Sequence, residues 1–353
     1  MATEPLKPLP DAEGAFADWR SYHIFYHGDR DAAILELIQP LLHDLLWTGQ
    51  VDRFFFVRYD VGGPHLRLRL RLTASASDSV TEALVESHCS RFFQNSPSPS
   101  SATSEQIRRV NRMVLRLDPG AGVDETYSNH SWRRFPLLFE VERYGGSRNF
   151  TYSLDLFCLS SLAALRWLQQ KKGESGSHEA MIRLAVQICC GFAATEDEFL
   201  SILDFGACFR RRPLRLEEER ISQARTIIEN ELATLATASA LLEPPIMRVA
   251  RAAAQQLQLL HVDERTNIAM SHIHMTANRL GLSNADEAVL SQTITQAAGL
   301  LKHQMRSRLK SCQNDHHSLR FHETASEDVL SREIDEFAGR SSRLSGHPLR
   351  QIG

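Results

Sequence analysis

Three arginines on one predicted strand are the residues best suited to chemistry in this sequence. Residues 65–72 read His-Leu-Arg-Leu-Arg-Leu-Arg-Leu, and this alternation predicts a β-strand with leucines on one face and arginines on the other. Arg67, Arg69 and Arg71 would repel one another, so we expect their face to meet anions or carboxylates, which guanidinium groups bind through paired hydrogen bonds. The alternative is the solvated outer face of a half-buried sheet.

A fourth arginine lies in the run Glu-Val-Glu-Arg-Tyr-Gly-Gly at residues 140–146. We predict a strand that ends at Arg143 and Tyr144, before two glycines that permit positive φ and carry no side chain to block a substrate. An arginine between two glutamates can also serve as an ordinary ion-pair partner. The sequence leaves both roles open.

A histidine on a predicted helix is the candidate for proton transfer. His274 and Asn278 are four residues apart, so they share a helical face and the amide could orient the imidazole. His272 lies well round the helix from His274, which argues against a two-histidine metal site. The histidines between residues 315 and 322 lack the spacing of structural zinc sites, so we expect no metal.

The elements that position these residues change character along the chain. Ser21–His27 is predicted as a strand and Asp31–Trp47 as a helix with a kink at Pro40, followed by two strands joined at Gly62-Gly63-Pro64. Further predicted elements of this half are a helix at Val80–Phe93, a serine-rich linker or surface loop at Gln94–Glu105, and extended segments at Val110–Leu117 and Phe135–Tyr144.

The second half has the period of long helices. They are predicted at Leu154–Gln170, His178–Ala193, Glu217–Leu241, Pro245–Leu259, Asn267–Leu280 and Glu287–Lys310, with a loop at Gly173–Ser177. The fold class is therefore α+β, with an N-terminal βαββ-type antiparallel sheet layer followed by a mainly helical C-terminal half. We expect a disordered N-terminus (1–18), a sheet domain (19–150), a helical domain (151–315) and a mobile tail (316–353).

Composition narrows the functional classes. The 353 residues are 42% hydrophobic, which supports a folded core, and the net charge of -3 argues against general electrostatic capture of nucleic acid or acidic membranes. No uncharged run approaches the roughly 20 residues that span a bilayer, and residues 1–14 lack the apolar stretch of a signal peptide. The six cysteines form no C-x-x-C pair, as expected for reduced thiols of a cytoplasmic protein.

Common catalytic signatures are missing from the sequence. It contains no Walker A loop, no Gly-x-Gly-x-x-Gly pattern after a strand, no Gly-x-Ser-x-Gly elbow and no kinase signature. The main nucleotide-dependent and hydrolase chemistries lose their support.

Three motifs, taken in order, resemble one family. They are Phe-Phe-Val-Arg-Tyr with Pro-His-Leu-Arg-Leu-Arg (55–69), Glu-Arg-Tyr-Gly-Gly (142–146), and Ser-x-Ile-His-Met with Asn-Arg-Leu-Gly (271–281). Together they resemble the C-terminal glutamate-elimination domain of lantibiotic dehydratases, which also occurs alone as thiopeptide-type bacteriocin biosynthesis proteins. The resemblance runs from about Trp19 to about Leu309.

The resemblance implies a role in maturing a ribosomally made peptide. In that family, Ser or Thr of a precursor peptide is glutamylated from glutamyl-tRNA by a large N-terminal domain, and the elimination domain then expels glutamate to leave a dehydroamino acid. This sequence lacks such an N-terminal domain, so we expect a separate glutamylating protein and a precursor peptide with its leader as partners. We expect no cofactor and no direct contact with nucleic acid; an oligomer is compatible with the sequence.

The motifs also imply roles for single residues. Arg67, Arg69 and Arg143 match the family's arginines and would bind the glutamyl carboxylates and the enolate-like charge of elimination. His274 matches its histidine and would act as acid or base, with Asn278 as orienter. The residues expected to contact substrate are Arg58, His65, Tyr144 and Asn278.

The sequence departs from the family pattern in two places. Family members often carry Tyr-x-Pro-Glu before the Glu-Arg-Tyr-Gly-Gly motif, whereas residues 137–140 read Leu-Leu-Phe-Glu, which keeps the glutamate and loses the proline. The serine-rich segment at Gln94–Glu105 lengthens the first domain. Both changes could alter how a leader peptide docks.

Two other functions stay open. The same scaffold could act as a pyridine-forming cyclase of thiopeptide biosynthesis, joining two dehydroalanines and releasing the leader. A cyclase holds no glutamate, so the retained arginines and histidine favour elimination. A module without catalysis could instead bind a leader peptide as an added strand at the sheet edge.

Overall fold

The computed structural model describes residues 16–99, 103–117, 125–137, 139–170, 174–207, 214–237, 244–257, 260–301 and 324–344. They divide into two compact units. Unit 1 contains the described residues up to Phe139 together with those from Ile334, and unit 2 is Glu140–Glu333. Unit 1 holds an antiparallel sheet with helices and unit 2 is helical, so the predicted α+β class is confirmed.

The sheet of unit 1 has four antiparallel strands. They are β1 (Trp19–Phe25), β2 (Val51–Tyr59), β3 (His65–Leu72) and β4 (Ser131–Phe135). Their order is β2-β3-β1-β4, so the strand that carries the alternating arginines lies inside the sheet. Both of its edges are paired, which fixes the register and therefore the face on which each side chain lies.

The two faces of β3 differ as the alternation predicts. Leu66, Leu68 and Leu70 are fully buried. On the leucine face, carboxylates of a helix bind β1 and β4: Arg20 donates to Asp78 at 2.7 and 3.0 Å, and Arg134 donates to Glu82 at 2.9 Å. Residues directly opposite in antiparallel strands share a face, so Ser21 (opposite Arg69) and His23 (opposite Arg67) join the arginine face.

Among the described residues up to Phe139, four helices come between these strands along the chain. They are α1 (Arg30–Ala33), α2 (Gln39–Trp47), α3 (Asp78–Asn95) and α4 (Ser104–Leu117). A π-helical turn at Ile34–Ile38 joins α1 to α2, and the Gln39 amide donates to the Ile34 carbonyl. Pro40 follows at once and has no N–H to donate, so the predicted kink takes the form of this wider turn.

The predicted extended segment at Val110–Leu117 is wrong, because these residues belong to helix α4. Ile107 and Asn111 are buried one helical turn apart, and Thr103 and Gln106 exchange hydrogen bonds of 2.7 and 3.2 Å at the start of the helix. The buried residues therefore follow a helical period, which the partial alternation of apolar residues with arginine concealed.

The predicted strand at Phe135–Tyr144 is also wrong beyond its first residue. Strand β4 ends at Phe135, and the next residue is Pro136, which cannot donate to a ladder. Glu142–Tyr144 forms a 3₁₀ turn, and Gly145 follows it in the left-handed conformation with φ of 87°. Arg143 therefore projects from a tight turn, and glycine is required there for the backbone rather than for open access.

The segment after α3 is fixed at its start by side chains from the loop before β4. Asn129 Nδ2 donates to the Ser98 carbonyl at 3.0 Å, and the Ser98 amide donates to His130 Nε2 at 3.1 Å. The predicted loop at Gln94–Glu105 is described at 96–99 and 103, flanked by the helices α3 and α4; residues 100–102 lie outside the described part.

Unit 2 is built from helices. They are α5 (Ser147–Gln169), α6 (Glu174–Phe192), α7 (Glu196–Leu203), α8 (Glu218–Thr237), α9 (Pro245–Gln256), α10 (Val262–Leu280) and α11 (Asn284–Gly299). Helix α7 was not predicted, and residues 174–177 are helical where a loop was expected. The ends predicted at Leu241, Leu259 and Lys310 lie outside the described residues.

A helix also occupies much of the tail that was expected to be mobile. Helix α12 (Thr324–Leu344) buries Val329, Leu330, Ile334 and Phe337, which recur at helical spacing. In unit 1 the Phe337 ring lies 5.9 Å from that of Phe54. The histidines at 316, 317 and 322, and residues 345–353, lie outside the described residues.

His272 lies in the core of unit 2 among aromatic rings. Its Nε2 is 3.1 Å from Ser153 Oγ, and its ring centroid is 5.0 Å from that of Tyr144 and 5.2 Å from that of Phe157. Burial, with a smaller contribution from the positive charges of nearby arginines, lowers the pKa of His272 to about 3. The imidazole is therefore neutral in the folded chain.

The buried imidazole should make the protein less stable in acid. In the unfolded chain His272 binds a proton below pH 6.5, whereas the folded chain binds one only near pH 3, so stability is lost as pH falls through this window. The loss for this group is roughly 1.4 kcal/mol per pH unit. Urea denaturation of His272→Gln at pH 7, 6 and 5 should show a flatter decline than the original protein. Equal slopes would contradict this, and His178→Gln, half-buried on α6, is the control.

Gly62 in the turn between β2 and β3 should resist substitution. Its φ is 87°, and an added Cβ would lie 2.8 Å from Cδ2 of Tyr127. Gly49 is the matched control, because its φ is 67° but nothing lies within 4 Å of an added Cβ. We expect Gly49→Ala to cost about 1–2 kcal/mol of stability and Gly62→Ala to cost more, measured by thermal unfolding. Equal losses would show that the contact with Tyr127 is unimportant.

Candidate functional site

Arg69 is a buried cation on the sheet of unit 1. Its Nη1 donates to Ser21 Oγ and lies 3.3 Å from His23 Nε2, both on the neighbouring strand β1. Only 8% of Arg69 is exposed. Among the described residues it forms no ion pair, so its charge is held by neutral groups.

Arg67 lies beside it in a different setting. Its guanidinium carbon is 3.4 Å from the centre of the Tyr59 ring, a cation–π contact, and its Nε donates to His65 Nε2 at 3.3 Å. His65 Nδ1 is 2.8 Å from the Gly63 carbonyl, so Nδ1 carries the proton and Nε2 accepts. His65 therefore orients Arg67 through a fixed tautomer.

Burial and repulsion set the charge of this face. Burial lowers the pKa of Arg69 to about 9, and the charge of Arg67 adds to the effect. The pKa of His65 falls to about 3 through burial and the nearby arginines, and that of His23 falls far below its usual range for the same reasons. At neutral pH the imidazoles are uncharged and the arginines are cations, so the face is positive.

Two other arginines of the hairpin are paired with carboxylates. Arg58 contacts Asp31 at 2.5 Å, and Arg71 binds both oxygens of Asp52 at 2.7 and 2.8 Å. These ion pairs explain two of the hairpin's arginines structurally, and a substrate-binding role for Arg58 stays a prediction. The solvated outer face considered from the sequence is wrong for Arg69, which is both buried and without a carboxylate among the described residues.

In unit 2 the other two predicted catalytic residues lie close together. Arg143 Nη1 donates to Glu140 at 2.8 Å, and its Nε donates to Ser271 Oγ at 3.3 Å. Ser271 and His274 are three residues apart on α10 and therefore neighbours on one helical face. The arginine of the tight turn is thus placed beside the helical face that carries the histidine.

His274 is held by a carboxylate that the sequence reasoning missed. Its Nδ1 lies 2.8 and 3.1 Å from the two oxygens of Glu287, which is 1% exposed, while 29% of the His274 side chain is exposed. Burial raises the pKa of Glu287, against the opposing hydrogen bond from His274. A carboxylate at Nδ1 fixes the tautomer with Nε2 as the proton acceptor, the form that a general base requires.

Helix α11 supplies this carboxylate. Glu287 lies in its first turn, where Ser283 caps the helix by accepting from the Asp286 amide at 3.2 Å. Helix α10 is capped by Gly281, whose φ is 83°, and α11 begins at Asn284, so the turn between them places Glu287 within hydrogen-bonding distance of His274. A glutamate four residues after a helix-cap serine, in Ser-Asn-Ala-Asp-Glu, was the signal available in the sequence.

The other predicted substrate-binding residues are buried or half-buried in their own units. Tyr144 is 4% exposed, and burial raises its pKa to about 12. Asn278 is half-buried on α10, one turn after His274. His65 is fully buried beneath Arg67. Their substrate roles and the orienting role of Asn278 stay predictions.

Two negative observations apply to the described residues. They contain no group of three or more His, Cys, Asp or Glu side chains that could hold a metal ion. Their helices include none long and apolar enough to cross a lipid bilayer.

The fold is shared with solved structures of two other proteins. The pyridine synthase TbtD from thiomuracin biosynthesis matches with a TM-score of 0.65 and 15% identity, over 81% of this chain and 99% of that one. The tRNA-dependent lantibiotic dehydratase MibB from Microbispora sp. 107891 matches with a TM-score of 0.57 and 17% identity, over 83% of this chain and 29% of that one. At these identities the likeness shows a common fold.

A comparison with curated proteins finds no match. The family model for the C-terminal part of lantibiotic biosynthesis dehydratases matches residues 19–298, which include both units' arginines, His274 and Glu287. The chain therefore belongs to the lantibiotic biosynthesis dehydratase C-terminal family.

Proposed function

We propose that the chain expels glutamate from glutamylated Ser or Thr residues of a precursor peptide, leaving dehydroalanine or dehydrobutyrine. The observation that carries the proposal is the group of Arg143, His274 and Glu287 in unit 2, where an anion-binding guanidinium lies beside a histidine held by a buried carboxylate. Elimination requires both a group that binds an anion and a group that transfers a proton. Family membership supports a role in the maturation of ribosomally made peptides.

The reaction requires one proton transfer and one departing carboxylate. A base removes the Cα proton, the Cα–Cβ double bond forms, and the Cβ–O bond breaks, so that its electron pair leaves with the side-chain or α-carboxylate of glutamate. The proton remains on the base. The protein must therefore supply a proton acceptor, stabilise the enolate-like charge, and bind the released carboxylate.

Residues of unit 2 suit the proton transfer. Glu287 holds the proton of His274 on Nδ1, which leaves Nε2 to accept one, and the paired carboxylate stabilises the imidazolium that forms. Arg143 is 47% exposed and its partner Glu140 is 56% exposed, so a substrate carboxylate can exchange for this weak surface ion pair. His274 is proposed as acid or base and Arg143 as an anion ligand.

Arginines of unit 1 suit the binding of glutamate carboxylates. Arg69 is desolvated and contacts only neutral groups among the described residues, so an anion would gain more from it than from a solvated arginine. Arg67 is held flat against Tyr59. We assign both to carboxylate binding, because a guanidinium matches that geometry with two parallel hydrogen bonds.

A pyridine-forming cyclisation is the second candidate. The solved structure of a pyridine synthase shares this fold along 99% of its length, so this scaffold is compatible with that reaction. Cyclisation releases no glutamate and needs no ligand for its carboxylates. The buried cation at Arg69 and the nearby Arg67 favour elimination for this chain.

The proposal implies partners. The substrate must be glutamylated first, so a separate tRNA-dependent glutamylating protein would act before this chain on the same precursor peptide. The leader of that peptide would bind as well, and strand addition at a sheet edge remains an alternative mode of binding.

His274 and Glu287 can be tested together. Incubation with glutamylated precursor peptide and mass spectrometry should show glutamate loss with the original protein. His274→Ala should slow it by about 10²–10⁴-fold, as expected for removal of a general acid or base. Glu287→Gln, which keeps the side-chain volume, should slow turnover less and shift its pH profile. Unchanged rates in both variants would remove the elimination proposal, and formation of a pyridine ring with release of the leader would replace it with cyclisation.

Arg69 and Arg71 form a matched pair for testing the anion site, because they lie on the same face of β3. Arg69→Met should raise KM for glutamylated peptide by about tenfold or more, since a charge-assisted contact contributes about 1.5–3 kcal/mol. Arg71→Met removes a guanidinium already paired with Asp52 and should change KM little. Circular dichroism checks that both variants fold. An equal effect of the two substitutions would argue against a specific role for Arg69.

A further inference from the structure

Helix α4 carries a stripe of exposed arginines. Arg108, Arg112 and Arg116 are exposed and follow one another at intervals of four residues, so they line one face of the helix, and Arg109 is exposed beside them. The interval corresponds to about 6 Å along the helix axis. We call these four residues the α4 stripe.

Several arginines on other helices are paired with nearby carboxylates. Arg183 and Arg225 each have a carboxylate one turn away on their own helix, and Arg220 pairs with Glu217 just before α8 begins. Within the described residues no carboxylate pairs with any arginine of the α4 stripe. Like charges four residues apart on a helix cost about 0.2–0.5 kcal/mol per pair, so the stripe is a local excess of positive charge on a chain whose net charge is -3.

Helix α4 is firmly attached to unit 1 by its opposite side. Asn111 is fully buried; its Oδ1 accepts from the Gly62 amide at 2.9 Å, and its Nδ2 donates to the Glu125 carbonyl at 2.8 Å. Ile107 is also buried. The arginines therefore project from a rigid element, which lowers the ordering cost of binding a partner.

We propose that the α4 stripe is a docking surface for an acidic peptide segment in extended conformation. Alternate residues of an extended peptide lie about 6.6 Å apart, close to the spacing of the arginines, so acidic residues at every second position would meet successive guanidinium groups. Met113, 59% exposed beside the stripe, offers an apolar contact between the charges. This surface does not depend on which reaction the chain performs.

Other polyanions fit the surface less well. Residues 104–117 contain no aromatic side chain on which a base could stack, and the net charge of -3 opposes long-range attraction of nucleic acid. A membrane-binding helix needs a broad exposed apolar face, whereas the apolar side chains described at positions 107–115 of α4 are buried or half-buried, apart from Met113.

A pair of double variants tests the docking surface. Arg108→Glu with Arg112→Glu reverses two charges of the stripe, and Arg220→Glu with Arg225→Glu makes the same change of net charge on α8. The probe is a fluorescein-labelled peptide of twelve alternating Glu and Ser residues, with Gln in place of Glu as its neutral counterpart. Fluorescence anisotropy measures binding to the full chain at low and high salt, and circular dichroism checks folding.

The proposal predicts a specific pattern. The acidic peptide should bind the original protein more tightly at low salt than the neutral peptide, and the α4 double variant should weaken binding by about tenfold, a difference of about 1.4 kcal/mol. The α8 double variant should change it less than about twofold. Equal losses in both variants, or no binding of the acidic peptide, would overturn the proposal. Tighter, α4-dependent binding of a labelled twelve-nucleotide RNA or of phosphatidylglycerol vesicles would assign the surface to those ligands instead.

Discussion

A desolvated guanidinium held by neutral partners is an energetically costly feature of unit 1, and the rest of the sheet keeps it in place. Removing a cation from water costs several kcal/mol, and hydrogen bonds from Arg69 to Ser21 and His23 recover part of that cost. Burial of the β3 leucines on the opposite face offsets much of the remaining desolvation cost. The strand cannot turn its arginines to solvent without exposing its leucines.

Unit 2 contains a buried anion, where unit 1 contains a buried cation. Glu287 is almost inaccessible to solvent, and its carboxylate is satisfied by an imidazole that is itself partly exposed. The charge of the buried group is thus connected to a side chain that can reach a substrate. Each unit therefore couples an accessible or reactive group to a buried neighbour that fixes its geometry, Arg67 to His65 in one and His274 to Glu287 in the other.

Local sequence patterns correctly predicted the structural features that are set within a single strand or helix. The faces of β3 follow from a period of two, and the position of His274 on a helix follows from the apolar spacing around it. The partners of Arg69 lie 48 and 46 residues away on β1, so its burial could not be inferred from β3. Glu287 is on the next helix, and its contact depends on the turn at Gly281. Residues 110–117 satisfy two periods at once, and only the packing of Ile107 and Asn111 decides for a helix.

The bonds at either end of the serine-rich segment have a practical use in protein engineering. Ser98 is fixed by Asn129 and His130, and α4 is fixed through Asn111, so neither anchor depends on the three residues between positions 99 and 103. Doubling the length of such a connection costs only about 0.6 kcal/mol of closure entropy. A reporter domain or affinity tag can therefore be inserted between positions 99 and 103 while α3 and α4 keep their contacts with the rest of unit 1.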